Sequence, residues 1–228
     1  MKKVISVILI VITACLAASC GCSAQPSAEL NRTPEKELSQ ADSIVVYFSM
    51  PVKTNVNNTN NEPDKSMVTI DGVNMGCTQY VAHIIREATS SDIFRIVSTV
   101  PYPTDHQTFT GYTKKEKTDD VRPPIQDSID NMDQYSTVYV GFPIWWEDMP
   151  MIMYTFFDQY DLSGKTIIPF CVESGTGPCG VVDTIKELEP DATVVDDILS
   201  VSIDDGSECE PQVKEWVESV GDASSDAE

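Results

Sequence analysis

From residue 43 onward the chain alternates short apolar runs with helical segments, and that alternation limits the possible folds more than any other feature. Strand character marks residues 44–48 (IVVYF), 92–98, 137–142 (TVYVGF), 166–171 (TIIPFC) and 198–203 (ILSVSI). Helical character marks 81–88, 150–160, 181–189 and 211–220. Runs so short and so continuously apolar suit strands buried on both faces, as in parallel sheets. The alternation therefore implies an α/β three-layer sandwich: a five-stranded parallel sheet, right-handed crossovers and helices on both faces. In open sheets of this kind ligands sit beyond the carboxyl ends of the strands, where strand order reverses. The segments after the first, third and fourth strands are where chemistry is expected.

The chain has 228 residues, 41% of them hydrophobic, which is enough for one compact domain with tails. Met1, Lys2 and Lys3 precede the apolar run 4–14 and then small residues and cysteine, the order of a secretion signal. A spanning helix needs roughly 20 apolar residues, and this run falls short. Leu16-Ala17-Ala18-Ser19-Cys20 resembles a bacterial lipobox and makes Cys20 the expected lipidated residue. Cys15 and Cys22 also fit the loose pattern, and plain secretion with cleavage nearby is the alternative. Residues 1–19 thus read as a lipoprotein signal peptide, 20–42 as a disordered tether, 43–220 as the folded domain and 221–228 as a disordered polar tail. The expected location is extracytoplasmic, at the cell membrane, as a bacterial lipoprotein.

Fifteen Lys and Arg against 36 Asp and Glu give a net charge of −21. Loss of Lys2 and Lys3 on processing would deepen it. Nucleic acid and bare anionic lipid are disfavoured partners, so contact with the membrane is expected through the lipid anchor only. With Cys15 lost and Cys20 lipidated, Cys22, Cys77, Cys171, Cys179 and Cys209 remain, an odd number where thiols oxidise. Cys171 and Cys179 flank a Gly-rich segment able to curl into a disulfide, while the competing arrangement points Cys171 into the sheet as a small apolar residue and leaves Cys179 paired with Cys209 or free. Metal-ligand spacing is missing, since the two histidines, His83 and His106, stand apart and no CxxC occurs.

Three segments carry the chemistry. After the first strand, Ser49 opens a long stretch ending in Gly76-Cys77-Thr78-Gln79 before the first helix. A hydroxyl at the strand end and Gly-x-Thr at a helix start suit a phosphate monoester, through close backbone approach, free N–H groups and the positive end of the dipole. A turn with a helix cap would use the same residues. After the third strand, Gly141-Phe142-Pro143-Ile144-Trp145-Trp146 places two indoles in a Pro-bounded loop, where bulky rings usually cover something, a flat ring being a natural candidate; the alternative is that one indole packs on the sheet and the other on the next helix. After the fourth, Glu173-Ser174-Gly175-Thr176-Gly177-Pro178-Cys179-Gly180 is a Gly-rich loop that lets a ring edge lie against backbone amides. Its order breaks the Gly-x-Ser-x-Gly elbow of serine hydrolases, and neither histidine follows it.

Together these loops resemble the flavodoxin family, and within it the group bearing Gly-Phe-Pro-x-Trp-Trp. The resemblance runs from about Ser43 to Val220 and includes Val45-Val46-Tyr47-Phe48-Ser49, Tyr102-Pro103, Arg122-Pro123 and the segment from Leu162 to Phe170. It implies strand order 2-1-3-4-5 and flavin mononucleotide (FMN) as cofactor. Ser49, Gly76, Cys77, Thr78 and Gln79 would take the phosphate; Pro143, Ile144, Trp145 and Trp146 one side of the ring; Ser174, Gly175, Thr176 and Gly177 the other. Three departures stand out: the insertion 50–75, Cys77 where Asn is common, and Val172-Glu173-Ser174 at the third loop, which brings a carboxylate near the expected ring edge. The implied function is an extracytoplasmic electron carrier or FMN-dependent oxidoreductase with a redox partner protein. The alternative is a surface binding module with a degraded flavin site.

The lipobox reading has a direct check. Radiolabelled palmitate is expected to enter the full-length protein and to be lost on Cys20→Ala; label retained in that variant moves the anchor to Cys15 or Cys22, and no label at all means free secretion.

Overall fold

The computed structural model describes residues 36–37, 39, 41–50, 66–103 and 105–225. The signal peptide, Cys20, Cys22, most of the tether and residues 51–65 of the insertion lie outside them. In chain order the elements are β1 (Lys36–Glu37), β2 (Ser43–Phe48), β3 (Met67–Ile70), β4 (Val73–Gly76), α1 (Cys77–Thr89), β5 (Asp92–Ile96), α2 (His106–Thr118), β6 (Thr137–Pro143), α3 (Met151–Gln159), β7 (Thr166–Glu173), α4 (Val181–Leu188), β8 (Thr193–Val194), β9 (Leu199–Ser202) and α5 (Glu210–Ser225).

β2 lies between β5 and β6, β6 pairs with β7, and β7 pairs with β9, all in parallel. This is the expected order 2-1-3-4-5, read on the strands that begin at Ser43, Asp92, Thr137, Thr166 and Leu199. Alternation along each strand sends side chains to opposite faces. Val46, Phe94, Val140 and Ile167 pack with α3 and α4 on one face, while Val45, Ile93, Tyr139 and Phe170 pack with α1 and α5 on the other. The three layers follow directly.

Four features go beyond the sequence reading. The last strand is split, β8 pairing with the start of β7 and β9 with its end. β1 lies antiparallel on the outer edge of β5. Next to it the Ser39 N–H and hydroxyl each donate to Asp92 at 2.6 Å, and the Tyr135 hydroxyl donates to the same buried carboxylate at 2.8 Å. The ordered chain therefore begins before residue 43, and a buried acid is satisfied by the strap that covers the sheet edge. The insertion holds an antiparallel hairpin, β3–β4, turned by Asp71 and Gly72 at φ 51° and 79°. Asp-Gly with positive φ at both positions is the preferred two-residue hairpin turn. Finally, α2 fills a stretch where the sequence reading placed no helix; its N-cap Asp105 accepts from the Thr108 N–H at 2.9 Å.

One glycine is fixed by packing. Gly141 sits opposite Phe170 in the β6–β7 register, and a Cβ at 141 would lie 1.9 Å from the Phe170 ring. Gly141→Ala is expected to lower stability by about 1–3 kcal/mol, the usual cost of overpacking. Denaturant unfolding should show it, with part of the loss restored by adding Phe170→Leu.

Candidate functional site

A cavity of about 340 Å³ opens beyond the carboxyl ends of β2, β6 and β7. Its first wall is built where β4 runs straight into α1. Gly76 is the N-cap of α1; no side chain caps this helix and its first turn carries no acid. The positive end of the helix dipole is thus left for an outside anion. A Cβ at Gly76 would lie 2.2 Å from the Ser49 hydroxyl oxygen, so the absence of a side chain is what lets the strand-end hydroxyl sit against the helix start. The Cys77 N–H donates to the Ser66 carbonyl at 2.9 Å and fastens the hairpin there. Behind this wall, Arg95 is buried on β5 and donates through Nη2 to the Ser49 carbonyl at 3.1 Å.

The second wall is aromatic. Trp145 stands edge-to-face with Phe48, Tyr102 and Phe109, at centroid separations of 5.4, 5.7 and 4.9 Å. Each such pair adds about 0.5–1.5 kcal/mol beyond area burial, so the indole is held on several sides. Burial raises the Glu116 carboxyl above its ordinary range, opposed by the nearby Tyr102 and Tyr112 hydroxyls. The third wall is the end of β7 with the loop after it: Val172, Glu173 and Ser174 line the cavity, and Ile203 closes it from the chain beyond β9.

Of the residues proposed from sequence, Ser49, Gly76, Cys77, Thr78, Pro143, Ile144, Trp145 and Ser174 line one cavity. Gln79, Trp146, Gly175, Thr176 and Gly177 do not line it. Gln79 is buried in the first turn of α1, its carboxamide oxygen without a hydrogen-bond partner among the described residues. Trp146 takes φ 57° and turns outward onto α2, where its indole N–H donates to Thr113 at 3.1 Å and Lys114 sits 5.4 Å above the ring. Trp146 as a whole residue is 41% exposed. The two tryptophans, alike in sequence, thus part: Trp145 lines the cavity and Trp146 does not. Gly175 and Gly177 instead give their N–H groups to Glu173.

The disulfide expected across the third loop is not formed: Cys171 and Cys179 are free thiols, as is Cys209. Cys171 points from β7 into the core on the α3–α4 face, whereas the Cys179 thiol turns to the carbonyls of Thr176 and Gly177 at 3.4 Å. Cavity residues missed at the sequence level are Met50, Ser66, Met67, Pro103, His106, Phe109, Val172 and Ile203. The Asp71-Gly72 turn would have flagged the hairpin that brings in Ser66 and Met67. His106 and Phe109 arrive with α2.

Residues 65–220 match the family model for flavodoxin. The match begins after β2, so Ser49 lies outside it. No curated protein matches the chain. Among solved structures, two presumptive flavoproteins, from Bacteroides eggerthii DSM 20697 and Bacteroides uniformis ATCC 8492, are 23% and 22% identical to it with a TM-score of 0.59 each. The alignments cover 79% and 78% of this chain and 98% and 97% of theirs. A flavoprotein from Lactobacillus acidophilus NCFM, solved in complex with FMN, is 19% identical, with a TM-score of 0.51 and coverage of 71% of this chain and 91% of its own. These structures share the fold. With more than half of its length matched by the family model, this chain belongs to the flavodoxin family.

Proposed function

We propose that the domain binds FMN and serves outside the cytoplasm as an electron carrier or simple FMN-dependent oxidoreductase, held at the membrane by lipid on Cys20. The observation that carries this reading is a single cavity that joins an uncapped helix N-terminus to a wall formed by Trp145. The two ends have the chemistry of the two ends of FMN, a phosphate monoester and a flat apolar ring. One such seat suits a mononucleotide, and no Gly-x-Gly-x-x-Gly follows β2 as a dinucleotide site would need. The FMN complex of the Lactobacillus acidophilus flavoprotein supports the same choice.

Bound FMN would supply the redox chemistry, and the protein supplies position and electrostatics. Ser49 and the first turn of α1 bind and orient the phosphate, with the close approach at Gly76 keeping the seat small. Trp145 and Ile144 cover the ring and keep water from it. Electron transfer asks for no acid, base or nucleophile from the chain. The partner is a redox protein that presents no strongly acidic face, since the net charge of −21 would repel one.

Equilibrium dialysis of the purified chain against FMN, FAD and NAD tests the reading. FMN is expected to be retained above the other two, and equal or greater retention of FAD would contradict it. Trp145→Ala is expected to weaken FMN binding by about 1–3 kcal/mol, the range for losing a large aromatic contact, with Trp146→Ala close to wild type.

A further inference from the structure

The turn that carries Trp145 is held in a backbone conformation that its residues do not favour. Trp145 and Asp148 pair across it, the Trp145 N–H donating to the Asp148 carbonyl at 2.8 Å and the Asp148 N–H donating back at 3.2 Å. Between them Trp146 and Glu147 adopt φ 57° and 59°. A two-residue turn with positive φ at both positions is one that Asn-Gly or Gly-Gly forms readily, whereas a Cβ at either position, above all one bearing an indole, is a source of strain. Such a conformation persists only where its surroundings enforce it.

The enforcing element is α2. Phe109, Thr113 and Lys117 recur at intervals of four and so share one face of that helix. Phe109 meets the Trp145 ring edge-on at a centroid separation of 4.9 Å, and Thr113 accepts from the Trp146 indole N–H at 3.1 Å. Lys117 grips the turn itself: its Nζ donates to the Trp146 carbonyl at 2.7 Å and pairs with the Asp148 carboxylate at 3.1 Å. One ammonium thus bridges the two sides of Glu147, and the first of its bonds fixes the peptide between the two strained residues. Asp148 is aimed at it by the Tyr154 hydroxyl, donating at 3.0 Å, and by the Met149 N–H at 2.8 Å. We propose that Lys117 is a positioning residue of the cavity: by clamping the Trp146–Glu147 turn to α2 it holds the Trp145 ring in the cavity wall, although Lys117 itself does not line that wall. This rests on the FMN reading above. Without the clamp the turn relaxes toward negative φ, and Trp145, the residue that enters the turn, loses its fixed contacts with Phe48 and Phe109. The Trp146 side chain is not required, because Lys117 holds its carbonyl.

The test measures the affinity of the full chain, in detergent, for FMN and for riboflavin, which has the ring without the phosphate. Lys117→Met is expected to weaken both by the same factor, on the order of tenfold. Lys117→Arg, which keeps a donor and the charge, is expected to stay close to wild type. Adding Glu147→Gly to Lys117→Met lets the turn adopt positive φ without strain and is expected to restore most of the affinity. Adding Glu147→Gln removes the same charge but keeps the Cβ, and is expected to restore none. A loss confined to FMN would make the ammonium a distant charge acting on the phosphate and would overturn the inference, as would no loss at all or equal rescue by Gly and Gln. A wild-type chain that binds neither flavin would overturn the FMN reading, and hydrogen exchange would then decide the clamp alone. Exchange of the Trp145 and Asp148 amides is expected to quicken in Lys117→Met and to slow again when Glu147→Gly is added; unchanged exchange would overturn the inference.

Discussion

Hydrogen bonds run from β2 in parallel register to β5 on one side and to β6 on the other, and the rest of the site depends on this pairing. The chain leaves β2 toward one edge of the sheet and later returns to build the other, so the segments after β2 and β6 diverge and leave a crevice between them. Into that crevice the hairpin β3–β4 delivers Gly76 at the start of α1, and the turn after β6 delivers Trp145. Close packing keeps the two ends in place. Phe170 over Gly141 locks β7 to β6, and Phe48 at the end of β2 braces the Trp145 indole.

If the chain binds FMN as proposed, so large a negative charge means that the phosphate would be seated largely by means other than surface cations. The described lining residues include no lysine or arginine. The uncapped start of α1 supplies oriented dipoles instead, and Arg95 places a buried guanidinium on the far side of the Ser49 carbonyl. Fixed dipoles need no reorganisation when the ligand arrives, and the apolar walls of Ile144, Trp145 and Val172 lower the local screening that would otherwise weaken them.

The sheet was legible in the sequence because its strands are buried on both faces and read as unbroken apolar runs. α2 was not: HQTFTGYTKKEKT carries few apolar residues, and only Thr113 and Glu116 are buried in it, so its helical period is masked by polar side chains. Without α2 the sequence could not place His106 and Phe109 at the cavity, nor separate Trp145 from Trp146, since α2 provides the surface that Trp146 lies on. The positive φ at Trp146 that divides the pair leaves no trace in residue type. Glu173 read as a departure from the family pattern because its partners, the Gly175 and Gly177 amides, are backbone groups whose direction depends on loop dihedrals. Patterns of burial survive in sequence, whereas directions of loop groups are set by tertiary packing.

The central claim is that one cavity seats a phosphate at the start of α1 and a flavin ring against Trp145. Fluorescence titration of FMN and of riboflavin, which has the ring without the phosphate, tests both halves at once. Flavin emission is expected to be quenched to a plateau at one equivalent of protein with FMN, and riboflavin to bind at least about tenfold more weakly, the loss of roughly 1.4 kcal/mol or more. Unquenched FMN emission in the presence of folded protein, or riboflavin bound as tightly as FMN, would contradict it.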